Sequence, residues 1–379
     1  ANTIASNASI AVLANSYVDA AGNNGTAGTG PLYSIDSTTP TPNSLSITSP
    51  GVLNSRLNEG DVVTLTVFMN KSTMVLDITN GAPTLALTIG STVVQASYAS
   101  YTNSTLQFSY TILAGQNDTD GVMFNANGLS FNGSVFKDEY GNNASNVYSA
   151  WTVGSYRVDT TLPTVSITSN ISAILAGQTA TISFTFSEDI GTSFSLGDVA
   201  ITNGTLSNLA GTGLTRTATF TPTANLSSGT ASITVTANSY QDLAGNNGLA
   251  GLTPLINIDM IAPTVVISSS KTTLKSGDTA TITFTFSEDP NTSFAWNGTS
   301  GDVTVTGGTL SAISGTGLTR TAVYTPTANS GGNPTFNVAA GSYQDALGNL
   351  GTAGITPYML FDTVAPTVAG RANSGSLIA

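Results

Sequence analysis

A chain of 379 residues, 40% apolar and only 8% charged, is too long for one small sandwich and suits three or four modules of about 100 residues each. Its 21 acidic against 9 basic residues leave a formal charge of −12, which offers no electrostatic grip on nucleic acid or an anionic membrane and attracts cations instead. Cys and His are both absent, so disulfides, thiolate metal sites, the commonest general base and the usual nucleophile pairs are excluded, and no enzymatic role is expected.

Residues 1–39 match only the last third of a repeat. Asn15-Ser-Tyr-Val-Asp-Ala-Ala-Gly-Asn-Asn-Gly25 parallels Asn238-Ser-Tyr-Gln-Asp-Leu-Ala-Gly-Asn-Asn-Gly248. With no signal-peptide pattern ahead of it and no membrane span anywhere, the chain reads as an internal piece of something longer. Residues 40–162 form a divergent module in which Val63 to Asn70 alternate apolar and polar, the period of a half-buried strand. This module also carries Asn117-Asp-Thr-Asp-Gly121, an acidic turn similar to part of a calcium loop but without the downstream Glu of an EF-hand.

Residues 163–262 and 263–365 are two full copies of one repeat. Phe184-Thr-Phe-Ser-Glu-Asp189 recurs at Phe284 to Asp289, and Gly211 to Ala218 recurs unchanged at Gly315 to Ala322. Ala180, Ile182, Phe184 and Phe186 alternate with Thr and Ser, so they face a core. Arg216 and Arg320 are expected to point outward and blunt a sheet edge. Trp296 lies in a four-residue insertion relative to the preceding copy. Residues 366–379 begin a further repeat or form a tail. Gly and Asn clusters punctuate these strands about every 8–12 residues, the turn spacing of a sandwich. The fold class is therefore all-β, a tandem array of immunoglobulin-like β-sandwich domains.

In a chain so poor in charge, the placement of acids carries information. Thirteen of the 21 fall in three recurring places. They end modules (Asp36, Asp159, Asp259, Asp362), follow the second strand (Glu188, Asp189, Glu288, Asp289), or precede the last strand (Asp19, Asp138, Glu139, Asp242, Asp345). The interval from turn Asp to terminal Asp is 17 residues in three instances, 19 to 36, 242 to 259 and 345 to 362.

In an immunoglobulin-type sandwich these places converge on one pole. Asp159 is therefore expected to meet Glu188, Asp189 and Asp242, and Asp259 to meet Glu288, Asp289 and Asp345. Crowded carboxylates repel unless a cation neutralises them, and hard oxygen ligands favour Ca²⁺. Asn246 and Asn349, with Gly245 and Gly348, are candidates to complete the oxygen shell. At the first junction, Asn70 and Lys71 stand where the others carry Glu and Asp, so Asp36 with Asp138 and Glu139 makes a poorer site.

The run of Phe184 to Asp189, Gly197-Asp-Val199, Asn203-Gly-Thr-Leu206, Thr219-Phe-Thr-Pro222 and Tyr240 to Asn246 resembles the bacterial Ig-like repeats of large calcium-binding surface adhesins. Residues 41–160 look like a related module through Ile112 to Gly121 and Lys137 to Asn143. The resemblance implies an extracellular, calcium-stiffened spacer for adhesion or biofilm formation, whose partners are adjacent repeats of the same chain; no receptor is named by it. Two other readings stay open: a filament or surface-layer subunit completed by strands of neighbouring subunits, and a carbohydrate-binding module if Trp296, Tyr101 and Tyr148 line an exposed face.

Overall fold

The computed structural model describes residues 3–368 and residue 370. It is built almost wholly of strands, with one 3₁₀ turn at Leu196–Asp198, and no helix among the described residues is long and apolar enough to cross a membrane. The chain packs as two compact units. One holds the residues up to Val165 together with Phe186–Phe194 and Thr236–Ala250; the other holds Ser166–Thr185, Ser195–Val235 and the residues from Gly251 onward.

In the first unit a seven-stranded sheet runs in the order Trp151–Thr152, Met123–Ser130, Thr84–Ile89, Thr92–Thr102, Thr105–Thr111, Val62–Met69, Pro42–Thr48. Its alternation is the one read from the sequence: Val63, Leu65, Val67 and Met69 are buried, while Thr64 and Thr66 between them are less so. Antiparallel pairing sets Leu65 opposite Phe108 and Val67 opposite Leu106, so large apolar side chains meet on one face. Against that face pack two small ribbons. Met74–Asp77 pairs with Val135–Asp138, and Arg56–Leu57 runs parallel to Arg157–Val158; their Met74, Phe136, Leu57 and Val158 join the same core.

Residues 1–39 pair Ile4–Ala8 with Tyr33–Asp36 and Ala11–Val12 with Gly28–Thr29. Tyr17, the counterpart of Tyr240 and Tyr343, is 52% exposed where those two are 1% exposed.

The same four-stranded sheet occurs twice. Val165–Ser169, Ala180–Phe186, Thr215–Pro222 and Gly204–Ala210 lie side by side, and Val265–Ser269, Ala280–Phe286, Thr319–Pro326 and Gly308–Leu310 repeat the order. A smaller sheet closes each sandwich, Ala173–Leu175 with Ile256–Asp259 and Gly229–Ala231, and Thr273–Lys275 with Leu360–Asp362 and Gly331–Gly332.

The expected edge position of the arginines is overturned. The strands that carry Arg216 and Arg320 are interior members of their sheets, and both side chains are buried. Arg216 donates to the carbonyls of Gly213 and Thr215, and Arg320 to Gly317, Thr319 and Asn291 and to the carboxylate of Asp289. Burial is tolerated because loop carbonyls replace the lost water.

The aromatics offered for a binding face are used in packing. Trp296 packs against its own core and donates Nε1–H to Leu310 at 3.3 Å, Tyr148 has a buried hydroxyl, and Tyr101 meets Phe136 edge-on at 6.4 Å.

An aromatic triad sits under the pole of each repeat: Phe186, Phe194 and Tyr240 in the first unit, Phe286, Phe294 and Tyr343 in the second, with centroids 4.8–6.2 Å apart. The tyrosine hydroxyl ties this triad to the incoming chain, donating to Pro163 and Leu249 from Tyr240, and to Pro263 and Thr352 from Tyr343. Tyr343→Phe removes the hydroxyl proton shared by the two carbonyls, of which Pro263 keeps the N–H of Thr352, and is expected to cost about 1 kcal/mol; denaturant titration checks it, and a variant as stable as the parent would remove the tie from the account.

Candidate cation sites at the module ends

Two triads of carboxylates come together, Asp159 with Glu188 and Asp242 in the first unit, and Asp259 with Glu288 and Asp345 in the second. In each, one oxygen per residue lies within 4.8 Å of the others. The three members arrive by different routes. Asp159 directly follows the short strand Arg157–Val158, and Asp259 is the last residue of Ile256–Asp259. Glu188 and Glu288 follow the strands ending at Phe186 and Phe286, where Ser187 and Ser287 accept the N–H of Thr164 and Thr264 and fix the turn.

Asp242 and Asp345 sit in a tight turn closed by the Asn four residues on. Asp242 Oδ1 accepts the N–H groups of Ala244 and Asn246 at 2.7 and 2.9 Å, and Asp345 repeats the pattern with Leu347, Gly348 and Asn349. Asn246 then reaches outward: its Nδ2 donates to Asp242 Oδ2 and to the backbone carbonyl of Asp159, both at 2.8 Å. Asn349 does the same to Asp345 and to the carbonyl of Asp259 at 2.9 and 3.2 Å. These asparagines position the triad, a role the sequence reading did not assign. A signal for it was present, since Asp-x-x-x-Asn recurs at 19/23, 138/142, 242/246 and 345/349.

Asn246→Ala is expected to cost about 1 kcal/mol, because it removes the buried amide that holds Asp242 and the part-buried Asp159 carbonyl, and to weaken cation binding at that triad alone. Urea unfolding and calcium titration of the variant test both.

The electrostatics of the triads follow from crowding. Burial, then the charges of Asp159 and Asp242, push the Glu188 carboxyl up to about 7, against the opposing pull of Arg56. Burial and the neighbouring carboxylates raise Glu288, and burial with Asp345 raises Asp259. The ion pairs Lys71–Asp36, Lys271–Asp278 and Arg320–Asp289 do not reach either triad. Three carboxylate groups from separate segments supply only oxygen donors: the Oδ1 atoms of Asp242 and Asp345 are taken up by turn N–H groups, but each Oδ2 accepts a single hydrogen bond, from Asn246 or Asn349, and keeps a lone pair. That set suits a hard divalent cation such as Ca²⁺.

The other candidate residues lie elsewhere. Asp189 accepts the N–H of Gly191, and Asp289 accepts that of Asn291 while pairing with Arg320, so neither is in a triad. Asp36 is held by Lys71, whose ammonium bonds both its carboxylate and the Thr38 hydroxyl. That contact keeps the Asp36 carboxyl down at about 2.

The expected match of Asn70 and Lys71 to Glu and Asp shifts by one residue: Asn70 exchanges hydrogen bonds with Thr41 as Ser187 does with Thr164, so Lys71 occupies the Glu188 position. Asn142 still bridges Asp138 to the Asp36 carbonyl. The first junction therefore keeps the scaffold and replaces an acid with a tethered cation. Glu139 takes no part in a triad. Asp19 caps its own turn through Asn23, and Asp362 accepts the N–H of Val364. In the acidic turn at Asn117 to Gly121, both Asp118 oxygens are taken by the N–H groups of Gly90, Asp120 and Gly121, which makes it a structural brace.

A family model described as a bacterial Ig-like domain matches residues 159–256 and 259–359, two tandem copies that together span just over half of the chain. The chain belongs to the bacterial Ig-like domain family. Each match begins at the terminal Asp of one triad, Asp159 or Asp259, so the family unit includes that carboxylate with the module it precedes.

No curated protein sequence matches this bacterial Ig-like chain. Among solved structures it is similar to FdeC, an Escherichia coli adhesin, at 14% identity over 82% of this chain and 96% of that one, with a TM-score of 0.34. It is also similar to the bacterial integrin-binding protein invasin, at 11% identity over 78% and 56% of the two chains and a TM-score of 0.31. The I67–I69 fragment of titin is similar at 5% identity, covering 87% and 98%, with a TM-score of 0.35.

Proposed function

We propose that this chain is an extender segment of a bacterial surface or secreted adhesin, in which calcium held by the Asp159 and Asp259 triads binds the end of one module to the loops of the next. One observation carries the reading: the same three carboxylates meet at two successive module ends, and where the acid is replaced at the first, a lysine supplies the positive charge instead. A solubilising role for these acids would leave them apart and solvated; here two triads sit partly buried and mutually repelling, which costs stability unless a cation is present. The absence of His and Cys and the placement of the acids at module ends support a mechanical role without catalysis.

Small-angle scattering of the chain in calcium and in chelator tests the proposal. Calcium should narrow the distribution of particle dimensions, and the double variant Asp242→Asn/Asp345→Asn should scatter alike in both buffers. Identical parent profiles with and without calcium would overturn it, and regular polymers in light scattering would point to a filament subunit instead.

A further inference from the structure

Beside the Asp159 triad, within the first unit, lies a hollow of about 420 Å³. Its lining includes Arg56, Arg157, Thr119, Thr161 and Ser187, together with the acids Asp118, Asp159 and Glu188. The two arginines are direct partners in a parallel ladder, Arg157 opposite Arg56. Like charges in that relation repel, and neither takes part in the ion pairs described above. They are also two of only nine basic residues in the chain.

The backbone makes an unusual turn to bring Arg56 there. Asn54 and Ser55 both have positive φ, 49° and 61°, and Ser55 is the one described residue other than Asn or Gly that does. The equivalent register pair beside the Asp259 triad is Ala173 with Asn257. The fold therefore does not need arginine at this place.

We propose that the triad and the arginine pair form one composite site for the carboxylate of a small polyhydroxy acid, a hexuronate, gripped by calcium and two guanidinium groups together. This rests on the calcium reading of the Asp159 triad. With Asp242 behind the lining, four acids face two arginines, so a bare hollow repels an anion and one divalent ion brings the balance to neutral. A carboxylate then meets an oxygen-seeking cation on one side and forked donors on the other, the geometry guanidinium groups bind best. Val158 is the single apolar residue of the lining and no aromatic is present, so a polar ligand with hydroxyls for Thr119, Thr161 and Ser187 fits. The volume suits one sugar ring.

Isothermal titration of the full chain with calcium, and then with glucuronate or glucose in calcium or in chelator, tests this. Glucuronate should bind in calcium, not in chelator, and glucose should not bind. Arg56→Gln/Arg157→Gln should weaken glucuronate at least tenfold while both triads still take up calcium, the Asp159 triad no more weakly than in the parent because the opposing charge of Arg56 is gone. Calcium uptake without glucuronate binding by the parent chain, which needs no variant to fold, overturns the composite site and leaves the calcium reading standing. Equal glucuronate affinity in parent and variant overturns it too. Failure of calcium itself to bind would sink the underlying reading, and the first titration shows that separately.

Discussion

In chelator the protein should lose stability as pH rises from about 4.5 to 7, and saturating calcium should reverse that slope. The sign follows from the raised carboxyls. Glu188 is lifted from 4.5 to about 7, and Glu288 and Asp259 are raised as well. Across this window the folded state holds more protons than the unfolded chain, so raising the pH favours unfolding. No histidine titrates here, because the chain has none. The depressed carboxyls, Asp19, Asp36, Asp77, Asp118 and Asp278, act in the opposite sense, and because the unfolded Asp value is 3.8 most of their contribution lies at the acid edge of the window.

Calcium needs the same carboxylates ionised, so its affinity grows as the protons leave. A cation at about a hundredfold excess over its Kd adds roughly 2.7 kcal/mol per site, which outweighs the loss of a single side-chain hydrogen bond. Thermal unfolding at pH 5 and pH 7.5, each with calcium and with chelator, reads all four corners. Stability that rises with pH in chelator would show that the triads are not mutually repelling.

Lys71→Glu should convert the first junction from one that ignores calcium into one that requires it. In the parent, the Lys71 ammonium satisfies Asp36 and Thr38 without any metal. The substitution sets a carboxylate beside Asp36 and Asp138 on a scaffold that already has the Asn142 bridge, reproducing the donor set of the other two junctions. In chelator the variant should unfold well below the parent, since an attraction becomes a repulsion. In calcium it should regain most of that loss and bind one more equivalent of the ion than the parent. Lys71→Met separates the two effects: it removes the attraction, adds no ligand, and should gain nothing from calcium. A Lys71→Glu variant with unchanged calcium stoichiometry would mean that the first junction lacks the geometry of the others.

Much of this organisation is legible in the order of residues. Period-two alternation at Val63 to Asn70 and Ala180 to Phe186 dictates strands, because successive side chains on a strand face opposite ways. The repeated segments mark two copies, and the recurrence of acids groups Asp159 with Glu188, Asp189 and Asp242, and Asp259 with Glu288, Asp289 and Asp345, before any coordinates exist. Those features are local or periodic, and local chemistry expresses them directly.

Which neighbour points where is a different matter. Glu188 and Asp189 are adjacent on one turn, yet only the first enters a triad; the second is held by the N–H of Gly191. In the next repeat the buried guanidinium of Arg320 draws Asp289 away. Arg216 and Arg320 gave no sequence sign of burial, since the position of a strand within its sheet depends on pairing between segments far apart in the chain. Lys71 was visible as a missing acid, but its capture of Asp36, 35 residues distant, exists only once the sheets are assembled. Composition and spacing thus determined the class of fold and the stock of acids, whereas the orientation of each side chain, and with it which carboxylates come together, was decided by long-range packing, because a turn offers its side chains several directions and only the surrounding structure selects one.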